Sequence, residues 1–511
     1  MGNQMNRKCW AIGILLLFVG IAYAPVFAQN AKNSQLSRGT WLYVGGSGPG
    51  NYTKIQDAIN DSSDGDTVFV SHGVYIEHIR INTSITLIGE EKNTTIIDGG
   101  ENQSAGTAVT LSSHGVSLSG FTIQHARNNS QSYSGVLVSH SCSNIITNNI
   151  IRSNECGIRL TNESNSNIIL NNFFTDNYWP LCILHNSSLN EVISNTVANN
   201  YWGIEVCYQS DFNTIKDNTV TENKKGIGLF DDSDFNLIIN NTLLNNRNAD
   251  AIHLYRTSNN LISGNTILHS YVYSIYLSFS HNNMITRNIM IDAFEGIHVR
   301  YSSNNTISEN IITNNTYHGI EIVHGTSITI INTTLTQNNR NGINIDYGDS
   351  ITIRNTLISH NTFFGILSTS TFFGIIINNS ISYNGRSGIN MTYSDFNTIL
   401  NNTIEHNNDS GVFLDHSNET RIRGNTLVEN RFGVILQVST KNRVSQNNFL
   451  DNMNDASFTT SKKNTWEQNY WNRIRVLPKL LFGMMMIGPF KIPWVNIDWH
   501  PAQEPYDIGG T

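Results

Sequence analysis

The segments Gly157-Ile158-Arg159-Leu160, Gly203-Ile204-Glu205-Val206, Gly296-Ile297-His298-Val299, Gly319-Ile320-Glu321-Ile322 and Gly411-Val412-Phe413-Leu414 share one pattern: a small residue, then apolar, variable, apolar. The small residue falls at Gly135, Gly157, Pro180, Gly203, Gly226, Ala251, Ser274, Gly296, Gly319, Gly342, Gly365, Gly388, Gly411 and Gly433. These 13 steps are 22 to 25 residues long. Their mean is about 22.9, and internal periods of this size mark solenoids.

A second register runs through the same stretch. An Asn opening an apolar or Thr-containing step recurs at Asn149, Asn172, Asn195, Asn218, Asn241, Asn265, Asn288, Asn310, Asn379, Asn402, Asn425 and Asn447, with Thr333 and Thr356 filling the two gaps. Stacked side-chain amides can hydrogen-bond along the stack, so a buried Asn row satisfies its own polar groups. That requires parallel strands in register.

Each period holds runs of three to five β-branched or apolar residues separated by Asn, Ser, Gly and Asp. There is no heptad and no long amphipathic window, which excludes helical repeats. Strand, turn, strand, turn, strand in about 23 residues describes one coil of a parallel β-helix, with coils about 4.8 Å apart. The usual hand of parallel crossovers makes the coil right-handed. The fold class is therefore an all-β right-handed parallel β-helix, and fourteen such coils would make a rod of roughly 65 Å.

Arg7 and Lys8 precede an apolar run from Trp10 to Tyr23, and Val26-Phe27-Ala28 fits a small-residue cleavage site. Residues 1–28 thus read as a signal peptide and the mature chain as exported, the alternative being an uncleaved anchor. A linker over 29–40, an N-terminal cap with irregular first coils over 41–134, regular coils over 135–451 and a C-terminal cap over 452–511 complete the organisation. Losing Arg7 and Lys8, with no acid in the leader, takes the formal charge from -8 to -10. This excess of acid argues against nucleic acid as a partner. Cys142, Cys156, Cys182 and Cys207 show no C-x-x-C spacing, so no disulfide framework is expected. Cys182 and Cys207, on adjacent coils but one strand step apart, would sit roughly 8 Å from one another, beyond disulfide reach. Sequons such as Asn51-Tyr52-Thr53 fit an exported protein.

The ends of an open β-helix present unpaired strand edges and need covers. Thr53-Lys54-Ile55-Gln56 has the form of a capping box, and Ile55, Ala58 and Ile59 give a short helix one apolar face. The block from 55 to 99, IQDAIN followed by GDTVFV, GVYIEHI, ITLIGE and TIIDG, resembles the start of pectin-lyase-like right-handed β-helix proteins. With the 23-residue coils and NTWEQNYWN at 464–472, the chain resembles the NosD type over about residues 40–472. That resemblance implies an exported protein that handles polysaccharide or, as in the founding member, aids copper-site maturation of nitrous-oxide reductase. Beyond Asn472 the chain departs from the pattern. The stretch around Met484, Met485 and Met486 is interrupted by Pro478, Lys479, Pro489, Lys491 and Pro493, too broken for a membrane span in the mature chain, and reads as an aromatic C-terminal cap.

In each Gly-Ile-x-Leu strand, residues two and four after the small one should face outward. The first of these stripes includes Glu205, His253, Tyr276, His298, Glu321 and Asn344; the second includes Cys207, Tyr255, Arg300 and Asp346. Carboxylates, imidazoles, a guanidinium and tyrosines thus converge on coils 203–346. Aromatic faces can stack on sugar rings while charged groups fix hydroxyls or uronates. The expected substrate-binding residues are Glu205, His253, Tyr255, Tyr276, His298, Arg300 and Asn344, and the expected partner is a polysaccharide or cell-surface glycan.

Catalysis would need two carboxylates. Glu321 and Asp346, one coil and two residues apart, would have Cα atoms roughly 8 Å from one another, compatible with inverting glycoside hydrolysis. No complete catalytic signature accompanies them: Asp231-Asp232 lacks the Gly-His-Gly that polygalacturonases carry one coil later, and Val495 to His500 (VNIDWH) lacks the Arg-rich partner of a pectate-lyase site. Copper calls for close sets of His, Met or Cys. His253 and His298, two coils and roughly 9.6 Å apart, do not form one. Ligand spacing identifies neither a copper nor a calcium site. The expected function is therefore polysaccharide binding by an exported or surface protein, with a hydrolase or lyase, a copper-maturation accessory and a structural or adhesive rod as alternatives.

Overall fold

Leu160, Ile183, Val206 and Leu229 lie one above another in consecutive coils, in parallel register and without exposed surface. Ile322 and Leu414 continue the same inward column further along. This is the packing that the small-apolar-variable-apolar pattern demands: one apolar knob per coil, stacked into a continuous core. The structure, a computed structural model, describes residues 39–100, 106–127, 133–487 and 489–508. The leader expected over 1–28 and most of the linker lie outside the described residues. The described residues from Trp41 onward form a right-handed parallel β-helix of about 19 turns with almost no helix, followed by a C-terminal hairpin.

A representative coil runs through three strands, Cys156–Thr161, Ile168–Leu170 and Phe173–Thr175. Each pairs in parallel with its counterpart one coil on: Ile158 with Leu181, Ile169 with Val192, Phe174 with Val197. The first strand is kinked at the small residue. Cys156 pairs with Trp179 and Ile158 with Leu181, while Gly157 and Pro180 between them are skipped in both coils. The same skip separates the Tyr273–Glu295 and Ile275–Ile297 pairs. There the neighbouring coil's backbone passes close: a Cβ built on Gly319 would stand 2.6 Å from the Gly342 carbonyl oxygen. Small residues fill most of the column for that reason, with Pro180, Ala251 and Ser274 the larger members between 135 and 433.

Asn rows turn the corners. Asn149 donates from Nδ2 to Asn172 Oδ1 at 3.1 Å, Asn172 to Asn195 at 3.2 Å, and so on to Asn288 and Asn310 at 3.1 Å. Thr333 and Thr356 interrupt the row. It resumes when Thr356 N donates to Asn379 Oδ1 at 3.0 Å, followed by Asn379 to Asn402 at 2.9 Å. The residue before each ladder Asn takes the left-handed conformation, with φ of 54° at Asn148, 55° at Asn171 and 54° at Ser194. Asn and short polar residues tolerate it best, which accounts for the Asn pairs in the sequence. Two further rows that the pattern did not disclose run parallel, through Asn144, Asn167 and Asn190 and through Asn154, Asn177 and Asn200.

The N-terminal helix, Ile55–Asn60, buries Ile55, Ala58 and Ile59 as its apolar spacing predicts. The capping box does not form. Lys54 occupies the N-cap with no side-chain bond, and the cap comes from a later coil: Glu77 accepts from Ile55 N at 2.9 Å and Gln56 N at 3.0 Å. A carboxylate that satisfies two of the free N–H groups at a helix start replaces a local hydroxyl.

At the other end Trp466 and Trp471 are buried, and Trp471 stacks on Phe449 at 4.4 Å. Lys479–Ile487 and Phe490–Asp498 form an antiparallel hairpin, attached to the last coils where Thr459 pairs with Met484 and Trp466 with Asp498. Leu481 and Met485 face inward, whereas Phe482, Met484 and Trp494 are exposed. Among the described residues no helix is long and apolar enough to cross a membrane, and Cys142, Cys156, Cys182 and Cys207 are free thiols.

Candidate functional site

The kink at the small residue decides what the outer face carries. Because the ladder skips that residue, the side chain just before it and the one two places after it emerge side by side on the same surface. The face therefore has a third column that alternation alone does not reveal: Trp202, Lys225, Asp250, Tyr273, Glu295 and His318. Its members meet the expected column directly. His253 Nδ1 lies 3.3 Å from Asp250, and His298 Nδ1 lies 3.2 Å from Glu295. An acid three residues before a histidine, straddling the small residue, was the sequence signal for both pairs.

Two clusters result. In the first, the Phe230 ring folds over Gly228, between Glu205 and His253, and a small cleft beside it is lined by Glu205, Lys225, Phe230, Asp250 and His253. Burial pushes the Glu205 carboxyl up to about 7, against the attraction of Lys225, and the Asp250 carboxyl up to about 6. Burial and the Lys225 charge bring His253 down to about 4, so at neutral pH the imidazole is neutral and its contact with Asp250 is not an ion pair. The Lys225 ammonium sits 3.6 Å above the Trp202 ring. His253 Nε2 is buried without a partner.

In the second cluster His298 stands between two carboxylates, 3.2 Å from Glu295 Oε1 and 3.1 Å from Glu321 Oε2. Burial works against its charge, but the two carboxylates prevail and raise it to about 9. Burial drives Glu295 up to about 7 despite His298. Glu321 is pulled the other way: burial opposes its charge, yet His298 holds it below the usual carboxylate range. Asn344 donates to Glu321 Oε1 and to Asp346 Oδ2, both at 3.1 Å. One amide thus bridges the two acids singled out from the sequence.

Tyr276 joins the clusters, its ring 4.8 Å from His253 and 5.3 Å from His298; Tyr273 stacks on His298 at 4.6 Å. The two histidines are separated by that tyrosine, as their coil spacing requires. Tyr255 is half-buried, carries Arg256 above its ring and meets Phe279 edge-on at 6.2 Å. Arg300 is exposed and lies over Tyr301. His298 and Asn344, expected on an open face, are only 8% and 5% exposed because the added column covers their flanks. One edge of the face is bordered by an aromatic ladder, Phe279, Tyr301, His324 and Tyr347, spaced 5.1, 4.9 and 4.8 Å apart. These rings stack on each other, so their inner faces are already occupied.

Residues 59–251, 247–371 and 317–475 match the family described as periplasmic copper-binding protein (NosD). The chain belongs to the NosD family. Among solved structures, this NosD-family chain is similar to the periplasmic alginate epimerase AlgG, at 13% identity over 66% of this chain and 80% of that one, TM-score 0.38. It is also similar to the catalytic domain of a GH87 alpha-1,3-glucanase, at 13% identity over 70% and 67%, TM-score 0.43. A third is XylC in complex with xylose, at 11% identity over 57% and 76%, TM-score 0.39. No curated protein matches the chain.

The family description raises copper, and the donor atoms test it. Among the described residues, Glu295, His298 and Glu321 form a set whose donor atoms all lie within 4.8 Å of one another. It offers one nitrogen and carboxylate oxygens, whereas copper(I) prefers thiolate and thioether sulfur. Cys156 and Cys182 are buried neighbours that shift in opposite directions: burial opposes the Cys156 thiolate but Cys182 and Arg159 lower its pKa, while Cys156 and burial hold Cys182 far above the usual thiol range, so the pair offers one thiolate at most. The thiolate, not the thiol, is the ligand. These clusters do not fit copper(I).

Proposed function

We propose that the outward face of coils 203–346 is a polysaccharide-binding groove on an exported or surface β-helix. The observation that supports this most is the density of half-buried ionisable and aromatic groups on a sheet face that, if inert, would carry freely solvated polar side chains. Glu205, Lys225, Asp250, His253, Glu295, His298 and Glu321 all lie within six consecutive coils, and most have strongly displaced pKa values. Maintaining such groups partly out of water costs stability, and clustering of this kind is characteristic of functional surfaces. Tyr255 and Tyr276 supply apolar ring area beside the charges, the combination that suits a sugar with an apolar face and polar hydroxyls.

The test is retention on neutral and acidic glycan arrays. Tyr255→Ala and Tyr276→Ala should weaken retention at least several-fold while leaving the melting temperature nearly unchanged, since both rings are only half-buried. A wild-type protein that retains no glycan, with mutants that behave the same, would favour a structural rod.

A second reading, a polysaccharide hydrolase or lyase, has its own support. Glu295 and Glu321 are adjacent carboxyls whose surroundings drive their pKa values in opposite directions, the pattern of an acid and a base. Glu295→Gln and Glu321→Gln should then each abolish product release while binding persists. Wild-type binding without turnover would restrict the face to recognition.

A further inference from the structure

We propose that Glu295, His298 and Glu321 form a binding site for a divalent cation of borderline character, with zinc as the type. Three observations carry it. The first is geometric: donors around a tetrahedral cation at about 2.0–2.1 Å stand roughly 3.3 Å apart. His298 Nδ1 is 3.2 Å from Glu295 Oε1 and 3.1 Å from Glu321 Oε2. The second is an unmet demand: Glu295 is 1% exposed and its Oε2 is buried without a hydrogen-bond partner. The third concerns the two carboxyl groups, whose candidate ligand oxygens lie within 4.8 Å of each other. A dication bound by both carboxylates supplies more positive charge than the single imidazolium between them, and bidentate binding by Glu295 would engage its unsatisfied Oε2 as well as Oε1.

The surroundings fix the ligands as an outer shell should. Asn344 occupies Glu321 Oε1 and thereby leaves Oε2 directed at His298. Tyr273 stacks on the imidazole, ring centroids 4.6 Å apart, and sets its plane. The strand kink is what makes the site possible, since a regular strand would place Glu295 and His298 on opposite faces. One imidazole with two carboxylates suits zinc or a similar divalent ion, offers too few oxygens for calcium, and lacks the sulfur copper(I) prefers. The alternative occupant of the same space is a proton shared by the three side chains, which would leave the site unable to take up metal.

Isothermal titration of the chelator-treated full chain with Zn2+ distinguishes these. One ion per chain is expected, with affinity reduced at least tenfold by Glu321→Gln and by His298→Gln. Glu309→Gln, at an exposed ion pair with Arg287, should leave affinity unchanged. Absence of stoichiometric Zn2+ uptake, or equal affinity in all three variants, overturns the proposal. If the variants fail to fold, X-ray absorption of the zinc-loaded wild type decides. A shell of nitrogen and oxygen alone supports the site, and sulfur in that shell assigns the ion to the cysteines or methionines and overturns it.

Discussion

Asn241 donates from Nδ2 to Asn265 Oδ1 at 3.0 Å, one coil further along the rod. It also donates to Ile215 O at 2.9 Å, and its own Oδ1 accepts from Asn218 N at 2.9 Å and Asn218 Nδ2 at 3.0 Å. Every polar atom of the buried amide is thus used, and its two neighbours depend on it. Asn241→Leu should destabilise by roughly 1–3 kcal/mol, because the buried groups of Asn218 and Ile215 lose their partners. Denaturant unfolding of the variant measures this, and an unchanged midpoint would show that the ladder contributes nothing to stability.

The first cluster makes stability depend on pH in a defined direction. Burial raises Glu205 from 4.5 in the unfolded chain to about 7 in the folded one. Between these values the folded protein keeps a proton that the unfolded chain releases, so this contribution is fully present below pH 4.5 and is lost as pH rises through 7. Glu205→Gln removes the titration. The variant should be more stable than wild type at pH 8 by roughly 1–3 kcal/mol, and the difference should vanish near pH 4.5. Melting curves at both pH values check it; a variant less stable than wild type at pH 8 would mean that attraction to Lys225 outweighs burial.

Much of this molecule was legible in its sequence because a solenoid repeats each decision many times. Leu160, Val206, Ile322 and Leu414 stack inside as the pattern required, and the Asn149 row forms the expected ladder. What stayed hidden depends on residues distant in the chain or on a local break in alternation. Glu77 caps the first helix from 21 to 22 residues away, so the adjacent Thr53 suggested a box that does not exist. Glu295 escaped notice because strict alternation assigns it to the wrong face. The skip at Gly296, visible only in the pairing register, brings it beside His298. The residues chosen for the candidate site therefore lacked the neighbouring column that covers their flanks.

The last prediction concerns how the rod ends. An Asn ladder needs an acceptor beyond its final member, and Asn447 passes the row to Asn469 at 3.0 Å. There Asp498 of the hairpin takes the next position, its carboxylate accepting from Gln468 N at 3.1 Å, Asn469 N at 3.0 Å and Trp471 Nε1 at 3.1 Å. The VNIDWH segment is thus a terminator for the ladder. Asp498 is fully buried, so Asp498→Ala leaves several donors unsatisfied and should cost about 2–4 kcal/mol. The loss should begin locally, because coils of a solenoid are held mainly by their neighbours. Trp466 and Trp471 would report it as a red shift and increased quenching of tryptophan fluorescence at temperatures where far-ultraviolet circular dichroism still shows an intact β-helix. Coincident loss of both signals at the wild-type temperature would show that the last coils do not rely on Asp498.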